Sequence, residues 1–145
     1  VALSFDWQVF AGHLLTIAVT YALALPIGWE REVAGRTAGL RTFSLLAVAT
    51  CGYVLIANEV FSESAEARAR MIEGIIAGIG FLGGGAIWKH EDKVSGVTTA
   101  VSLWSTSAVG AAVALNKLEI AVILSVVNLA TLRLLAPFKR PKADG

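Results

Sequence analysis

Charge is scarce in this sequence: Asp, Glu, Lys and Arg make up 16% of its 145 residues, against roughly 25% in ordinary globular domains. A soluble chain this small must cover a large surface with polar groups, so the shortage argues against a soluble domain. Basic residues are not in excess either. A formal net charge of +1 leaves no basic face of useful size and excludes nucleic acid as a partner. Cysteine occurs once, as Cys51 within an apolar run, which rules out a disulfide framework or a thiolate metal cluster. Cys51 reads as a small core residue. Val1 to Trp7 carries no basic residue, so the first apolar run is expected to stay as a membrane helix rather than act as a cleavable signal peptide. No nucleophile, base and orienting group converge in the sequence, and no enzyme is expected.

What the sequence has instead is apolar length. Hydrophobic residues reach 56% and the mean hydropathy is +0.70. The few charges cluster at Glu30 to Arg41, Glu59 to Glu73, Lys89 to Lys93 and Arg133 to Asp144. Between the clusters lie runs near the roughly 20 residues that span a bilayer core. The layout predicts an all-α, polytopic transmembrane helix bundle forming a single domain over residues 1–145, with spans at about 8–29, 41–60, 71–88, 97–115 and 118–138. The joints at Glu30 to Gly39, Ser62 to Arg70, Lys89 to Gly96 and Asn116 with Lys117 are short and polar.

Basic residues near span ends set the orientation. With the N-terminus outside, the cytoplasmic side holds nine: Arg31, Arg36, Arg41, Lys89, Lys93, Arg133, Lys139, Arg140 and Lys142. The outer side holds three, Arg68, Arg70 and Lys117. That bias places the N-terminus outside and the C-terminus in the cytoplasm. Trp7, Trp29 and Trp88 fall near span ends, where amphipathic rings favour the interface. Trp104 falls mid-span and reads as a packing residue.

Helices in lipid associate through close backbone approach and hydrogen bonds between small residues. The first span carries such a stripe at Gly12, Thr16, Thr20, Ala24 and Gly28, and the fourth at Ser95, Thr99, Ser102, Thr106 and Gly110. The third span is richer still. At 100° per residue, Gly74, Gly78 and Gly85 share one face, Ala77, Gly80 and Gly84 a second, and Gly83 lies between or behind. Two small faces favour tight packing, with this helix central and gripped by neighbours on both sides. The other reading is a break near Gly83, because each glycine costs up to about 1 kcal/mol relative to alanine. A break would expose backbone groups to a ligand, as in discontinuous transporter helices. A phosphate-loop reading fails, because no lysine with serine or threonine follows these glycines.

Three stretches together resemble the transmembrane domain of MgtC/SapB proteins. They are Gly28-Trp29-Glu30-Arg31-Glu32 continuing through Gly35, Ala38, Gly39, Leu40, Arg41 and Thr42; Gly78 to Ile87 with its glycine run; and Val94 to Ala100 followed by Ser102, Trp104 and Gly110. They keep the family's order and cover most of Gly28 to Gly110. Gly84 stands where alanine is usual, and Val97 where leucine is common. Larger members carry a soluble C-terminal domain of ACT-like character, and the resemblance here covers the transmembrane domain alone, with no C-terminal soluble domain expected. The resemblance implies a bacterial inner-membrane protein tied to magnesium limitation, virulence inside phagocytes or acid stress, and a regulator rather than a magnesium transporter. It also implies a membrane-protein partner, the F-type ATP synthase. Glu30, Arg31, Glu32 and Arg41, with the polar positions Thr42, Thr98, Thr99, Ser102 and Trp104, fall on its signature.

The charged residues carry the remaining expectations. Glu30, Arg31, Glu32 and Arg41 read as a salt-bridge network locking the first hairpin, with Glu30 to Arg41 as one pair; Arg36 reads as a solvated flank. Magnesium takes a few carboxylates plus waters, but the arginines oppose a cation at Glu30 and Glu32, and no cofactor or metal site is expected. Glu73 is either an intramembrane functional acid or a side chain reaching the outer interface beside Arg70. His13 reads as a hydrogen-bonded packing residue. Asn128, with Ser125 and Thr131 on nearby faces, reads as an interhelical hydrogen-bond donor and acceptor. The sequence therefore predicts a regulator that docks a small-residue helix face on a membrane partner. The alternative is a small magnesium or proton transporter or channel using the third span and Glu73, most simply as a homo-oligomer.

Overall fold

The structure, a computed structural model, describes residues 5–90 and 93–138. Lys139, Arg140 and Lys142 of the expected basic end, and the first residues of the Val1 to Trp7 segment, lie outside the described residues. Five helices run back and forth: α1 Trp7–Val33, α2 Leu40–Val60, α3 Ala65–Gly85, α4 Val97–Ala114 and α5 Leu118–Leu134. A β-hairpin joins α3 to α4, with β1 Trp88–His90 antiparallel to β2 Lys93–Ser95 and Lys89 opposite Val94. A 3-10 turn, Ala136–Phe138, follows α5. Among the described residues α1, α2 and α4 are long and apolar enough to cross a membrane.

Local chemistry explains the helix ends. Asp6 caps α1, its carboxylate accepting from the Gln8 and Val9 amides at 2.8 and 3.2 Å. The Ser64 hydroxyl accepts from the Ala67 amide at 3.2 Å and starts α3. Such caps satisfy amides that the first turn of a helix leaves without partners. Pro26 sits inside α1 and removes one rung, which membrane helices tolerate. Pro137 follows α5, where a helix cannot continue through it unbroken.

Four boundaries differ from the sequence expectation, one of them the end of α5 at Leu134 rather than Phe138, where Pro137 follows. The first helix continues past Trp29 to Val33, so Glu30, Arg31 and Glu32 are helical rather than part of the joint. The third begins at Ala65, not Met71, because Ser64 provides a cap that hydropathy does not register. It also ends at Gly85, and Trp88 belongs to β1. Gly96 closes the hairpin at φ +88°, and a Cβ there would collide with the Ala86 carbonyl. The residues after Gly85 thus turn back instead of extending the helix. The glycine run itself does not break it: α3 is continuous through Gly83 and Gly84.

The central helix is α4, not α3. Eleven of its residues are buried, from Thr99 to Ala114, against two in α3, Ile79 and Gly83. The α3 surface turned to α4 lies behind its two small faces: a Cβ on Gly83 would meet Ala100 at 3.6 Å. Gly74, Gly78, Gly80, Gly84 and Gly85 have nothing within 4 Å of a Cβ position. Glycine permits close approach without demanding it. The hydroxyls of α4, by contrast, require partners in a dry interior, and they draw that helix inward.

Backbone approach holds the centre. A Cβ on Gly110 would strike the Ala47 carbonyl, so α4 and α2 meet there backbone to backbone. At the other helix pair, a Cβ on Gly28 would lie 2.9 Å from Leu40 Cα and 3.3 Å from Phe43 Cβ. Fully buried Ile27 and Phe43 pack with Leu103 and Leu132. Cys51 is buried with Val54 and Ala114, a core residue as expected. Thr20, Ala24 and Gly28 of the first stripe are buried, whereas Gly12 faces open space. Gly110→Ala is therefore expected to destabilise the purified protein by about 1–3 kcal/mol, while Gly84→Ala leaves stability unchanged or raises it by up to about 1 kcal/mol. Denaturant or thermal unfolding in detergent micelles checks both.

Candidate functional site

The charged turn between α1 and α2 is tightly built. Arg31 is 5% exposed, and its Nε donates to Glu30 Oε2. Glu32 reaches across the turn, its Oε2 accepting from the Leu40 amide at 2.9 Å. It thereby caps α2, whose N-cap residue Gly39 has no side chain to do so. A Cβ on Gly39 would collide with that carboxylate, so a side chain there would displace the cap. Gly35 takes φ +63° and the Arg36 amide donates to the Arg31 carbonyl at 3.1 Å, closing the turn. The expected Glu30 to Arg41 pair is not formed. Glu30 takes its own helical neighbour instead, and Arg41 is exposed with no ion pair among the described residues. The extension of α1 to Val33 keeps Glu30 helical, with its side chain largely buried beside Arg31.

A polar seam crosses the interior. Ser102 Oγ donates to Asn128 Oδ1 at 2.8 Å, and Asn128 Nδ2 donates to the Ser102 carbonyl and to Thr106 Oγ1, each at 3.2 Å. Ser125 Oγ donates to the Leu23 carbonyl at 2.8 Å, tying α5 to α1. The Thr50 and Ser107 hydroxyls meet at 3.1 Å, tying α2 to α4. Asn128 and Ser125 thus bridge helices as expected; Thr131 lies exposed. The Thr50–Ser107 bond was not anticipated, although two hydroxyls inside apolar runs are a visible sign. Ser44 Oγ, in contrast, is a buried hydroxyl without a partner among the described residues. At the far end His13 Nε2 lies 2.8 Å from Glu59 Oε1, joining the start of α1 to the end of α2.

The signature positions divide. Thr99 and Ser102 are buried, while Thr42 and Thr98 are exposed. Trp104 is 53% exposed and lines a 310 Å³ cleft with Ile76 and Ile79 of α3. It stands half-exposed at the surface of the bundle, because α3 covers only part of that side of α4.

On its other side α3 borders a second cleft of 540 Å³, where Gly74 and Gly78 face Leu46, Ala49 and Tyr53 of α2. Gly85 lines a third, beside Arg41 and Thr42. The walls of the first two clefts are overwhelmingly apolar. On a helical projection Glu73 falls with Ala77, Gly80 and Gly84 on a flank of α3, about 110° round from the Ile79 and Gly83 side at 100° per residue. It is exposed and unpaired among the described residues, roughly 12 Å along the helix from Ala65 at 1.5 Å per residue. Among the described residues no group of three or more His, Cys, Asp or Glu side chains could hold a metal ion.

This arrangement defines an all-α transmembrane helix bundle with a polar interior, a braced charged turn and one weakly covered, glycine-rich helix. The chain belongs to the MgtC family, whose model matches residues 16–141. It is 33% identical to Protein SrpB of Synechococcus elongatus, over 93% of this chain and 78% of that protein. It is 35% identical to Protein MgtC of Brucella abortus, over 90% of this chain and 54% of the relative. Protein MgtC of Salmonella typhimurium is 31% identical over 81% of this chain and 49% of its own length. The chain thus spans about half the length of the MgtC proteins it matches. No solved structure matches it significantly.

Two energetic consequences follow from the site. Arg31→Met leaves the Glu30 carboxylate nearly buried without its partner, at a cost of about 3–5 kcal/mol. The double variant Glu30→Gln/Arg31→Met recovers most of that loss, as read by unfolding in micelles.

Proposed function

We infer that this chain is a regulatory inner-membrane protein that works by intramembrane protein–protein contact rather than by catalysis or transport. The observation that carries the reading is the uncovered surface of α3, where five glycines have open space at the Cβ position. Lipid tails gain nothing special from glycine, whereas a second helix gains close backbone approach. Glu73, on the Gly80 and Gly84 face of that surface, adds chemistry to it. A carboxylate at membrane depth is costly without a partner, and a docked helix supplying a hydrogen-bond donor satisfies it. The partner's docking face accordingly carries small residues and at least one donor.

In this reading the chain is one multi-pass domain with its N-terminus outside and its C-terminus in the cytoplasm. The end holding Arg31, Arg36, Arg41, Lys89 and Lys93 then faces the cytoplasm, in keeping with the positive-inside rule. The braced turn of Glu30, Arg31 and Glu32 fixes the α1–α2 hairpin against which the rest is set. Family resemblance links the activity to magnesium limitation, virulence or acid stress, and proposes the membrane sector of the F-type ATP synthase as the partner. Ion passage is the weaker reading, because the first two clefts beside α3 are lined mainly by apolar side chains, with no carboxylate among them.

Co-purification with the ATP synthase after crosslinking in bacterial membranes tests the reading, with liposome flux as the counter-assay. Gly80→Leu, placed in open space, is expected to abolish capture while the bundle stays folded, and Glu73→Ala to weaken it. Magnesium or proton flux through wild-type protein that Glu73→Gln abolishes would overturn the reading.

A further inference from the structure

At the end of the bundle that carries the α1–α2 turn lies a cavity unlike the clefts around α3. It has a volume of 490 Å³ and is bounded by Arg31, Arg36, the Val94 to Thr99 segment and the last turns of α5. The start of α4 opens onto it. The N-cap of α4 is Gly96, which gives no side-chain cap, and the backbone explains why none is available there. Its positive φ and the Ala86 carbonyl beside it both require glycine. The amides of Val97, Thr98 and Thr99 therefore have no acceptor among the described residues. Unpaired amides at a helix start carry the positive end of the helix dipole, roughly half an elementary charge.

Arg31 provides a second and independent observation. It is 5% exposed, yet of its guanidinium nitrogens only Nε has a partner, Glu30. Nη1 and Nη2 have no acceptor among the described residues, and the side chain lines this cavity. A nearly buried guanidinium keeps unused donors only where something outside the bundle can take them. Arg36 brings another guanidinium to the same wall, placed there by the bond from its amide to the Arg31 carbonyl. Of the nearby acids, Glu30 neutralises Arg31, and Glu32 is committed to the Leu40 amide. No carboxylate lines the cavity itself, so Arg36 and the positive end of the α4 dipole face it directly. Thr98, Thr99 and Thr131 also line it, and Leu132 and Leu135 form an apolar flank.

We propose that this cavity is a binding site for a phosphate-bearing anion. The phosphoryl oxygens sit on the α4 amides between Arg31 and Arg36, in the manner of helix-start and arginine recognition of phosphate. Two sources share that chemistry. One is the headgroup of an anionic phospholipid, whose acyl chains would follow the Leu132 and Leu135 side; basic pockets between membrane helices bind such headgroups. The other is a soluble phosphate compound reaching the same amides from the aqueous side. The site uses the opposite elements to those of the α3 docking surface, so either reading can fail without the other.

The test uses the full chain purified in neutral maltoside micelles, with binding read by the shift in thermal unfolding and by native mass spectrometry. One arm adds phosphatidylglycerol with phosphatidylcholine as control; the other adds inorganic phosphate. Saturable binding of either probe is expected, weakened about tenfold or more by Arg36→Gln, as the loss of one charged hydrogen-bond partner implies. Arg36→Lys restores part of it. Arg36 is exposed, so this variant folds where changes at Arg31 would not. Phosphatidylglycerol binding alone assigns a lipid site, and inorganic phosphate binding alone a soluble ligand. Absence of saturable binding of both probes, or binding that Arg36→Gln leaves unchanged, overturns the proposal.

Discussion

The rest of this bundle depends on the contact between α2 and α4 at Gly110 and Ala47. There two backbones touch, and the absence of one Cβ sets the distance between the helices. That distance brings the Thr50 and Ser107 hydroxyls to 3.1 Å. It also buries the α4 stripe of Thr99, Ser102 and Thr106 deeply enough to meet Asn128 on the far side. In lipid, where apolar side chains gain little by leaving one oily surface for another, such close approach and the hydrogen bonds it enables supply the association. Each interhelical bond contributes on average about 0.6 kcal/mol and at most about 1.7 kcal/mol. The seam works through number and through the backbone fit that aligns it.

With α4 fixed, the placement of α3 follows. The groove on α4 beside Ala100 accepts Gly83 and Ile79, and this uses the side of α3 behind its glycine faces. The covalent route enforces the same choice, because the β-hairpin and Gly96 return the chain sharply from Gly85 into α4. The result is a helix held along one edge, with apolar clefts on both sides, Gly74 and Gly78 on the cleft beside α2, and Gly80 and Gly84 exposed. Function in this account resides where the fold leaves packing unfinished.

Much of the architecture is legible in the residues. Apolar run lengths and charge clusters place five helices, and the spacing of serine and threonine marks the buried side of α4. Asn128 is recognisable as a bridge because an amide inside an apolar run needs partners. The rank of the helices is less legible. Glycine in α3 and hydroxyls in α4 both look like packing signals, but only the hydroxyls carry a desolvation penalty that forces burial. The charged turn was readable in its membership and not in its pairing. Glu30 meets Arg31 rather than Arg41 because α1 stays helical through Val33, a length that a cluster of charges conceals. The hairpin of Trp88–His90 and Lys93–Ser95 is too short to leave a period-2 pattern. The anion cavity is assembled from three separate stretches of chain, and no local motif announces it.

The central claim is that the outward side of α3 is a docking surface for another membrane protein. A photoreactive amino acid scanned along α3 in living membranes tests it most directly, with exposed positions of α5 such as Val122 and Val126 as references. The account predicts protein adducts from positions 73, 77, 80 and 84, recurring with helical spacing, and only lipid adducts from α5. Lipid adducts alone from those four α3 positions, or protein adducts spread evenly over both helices, would contradict it.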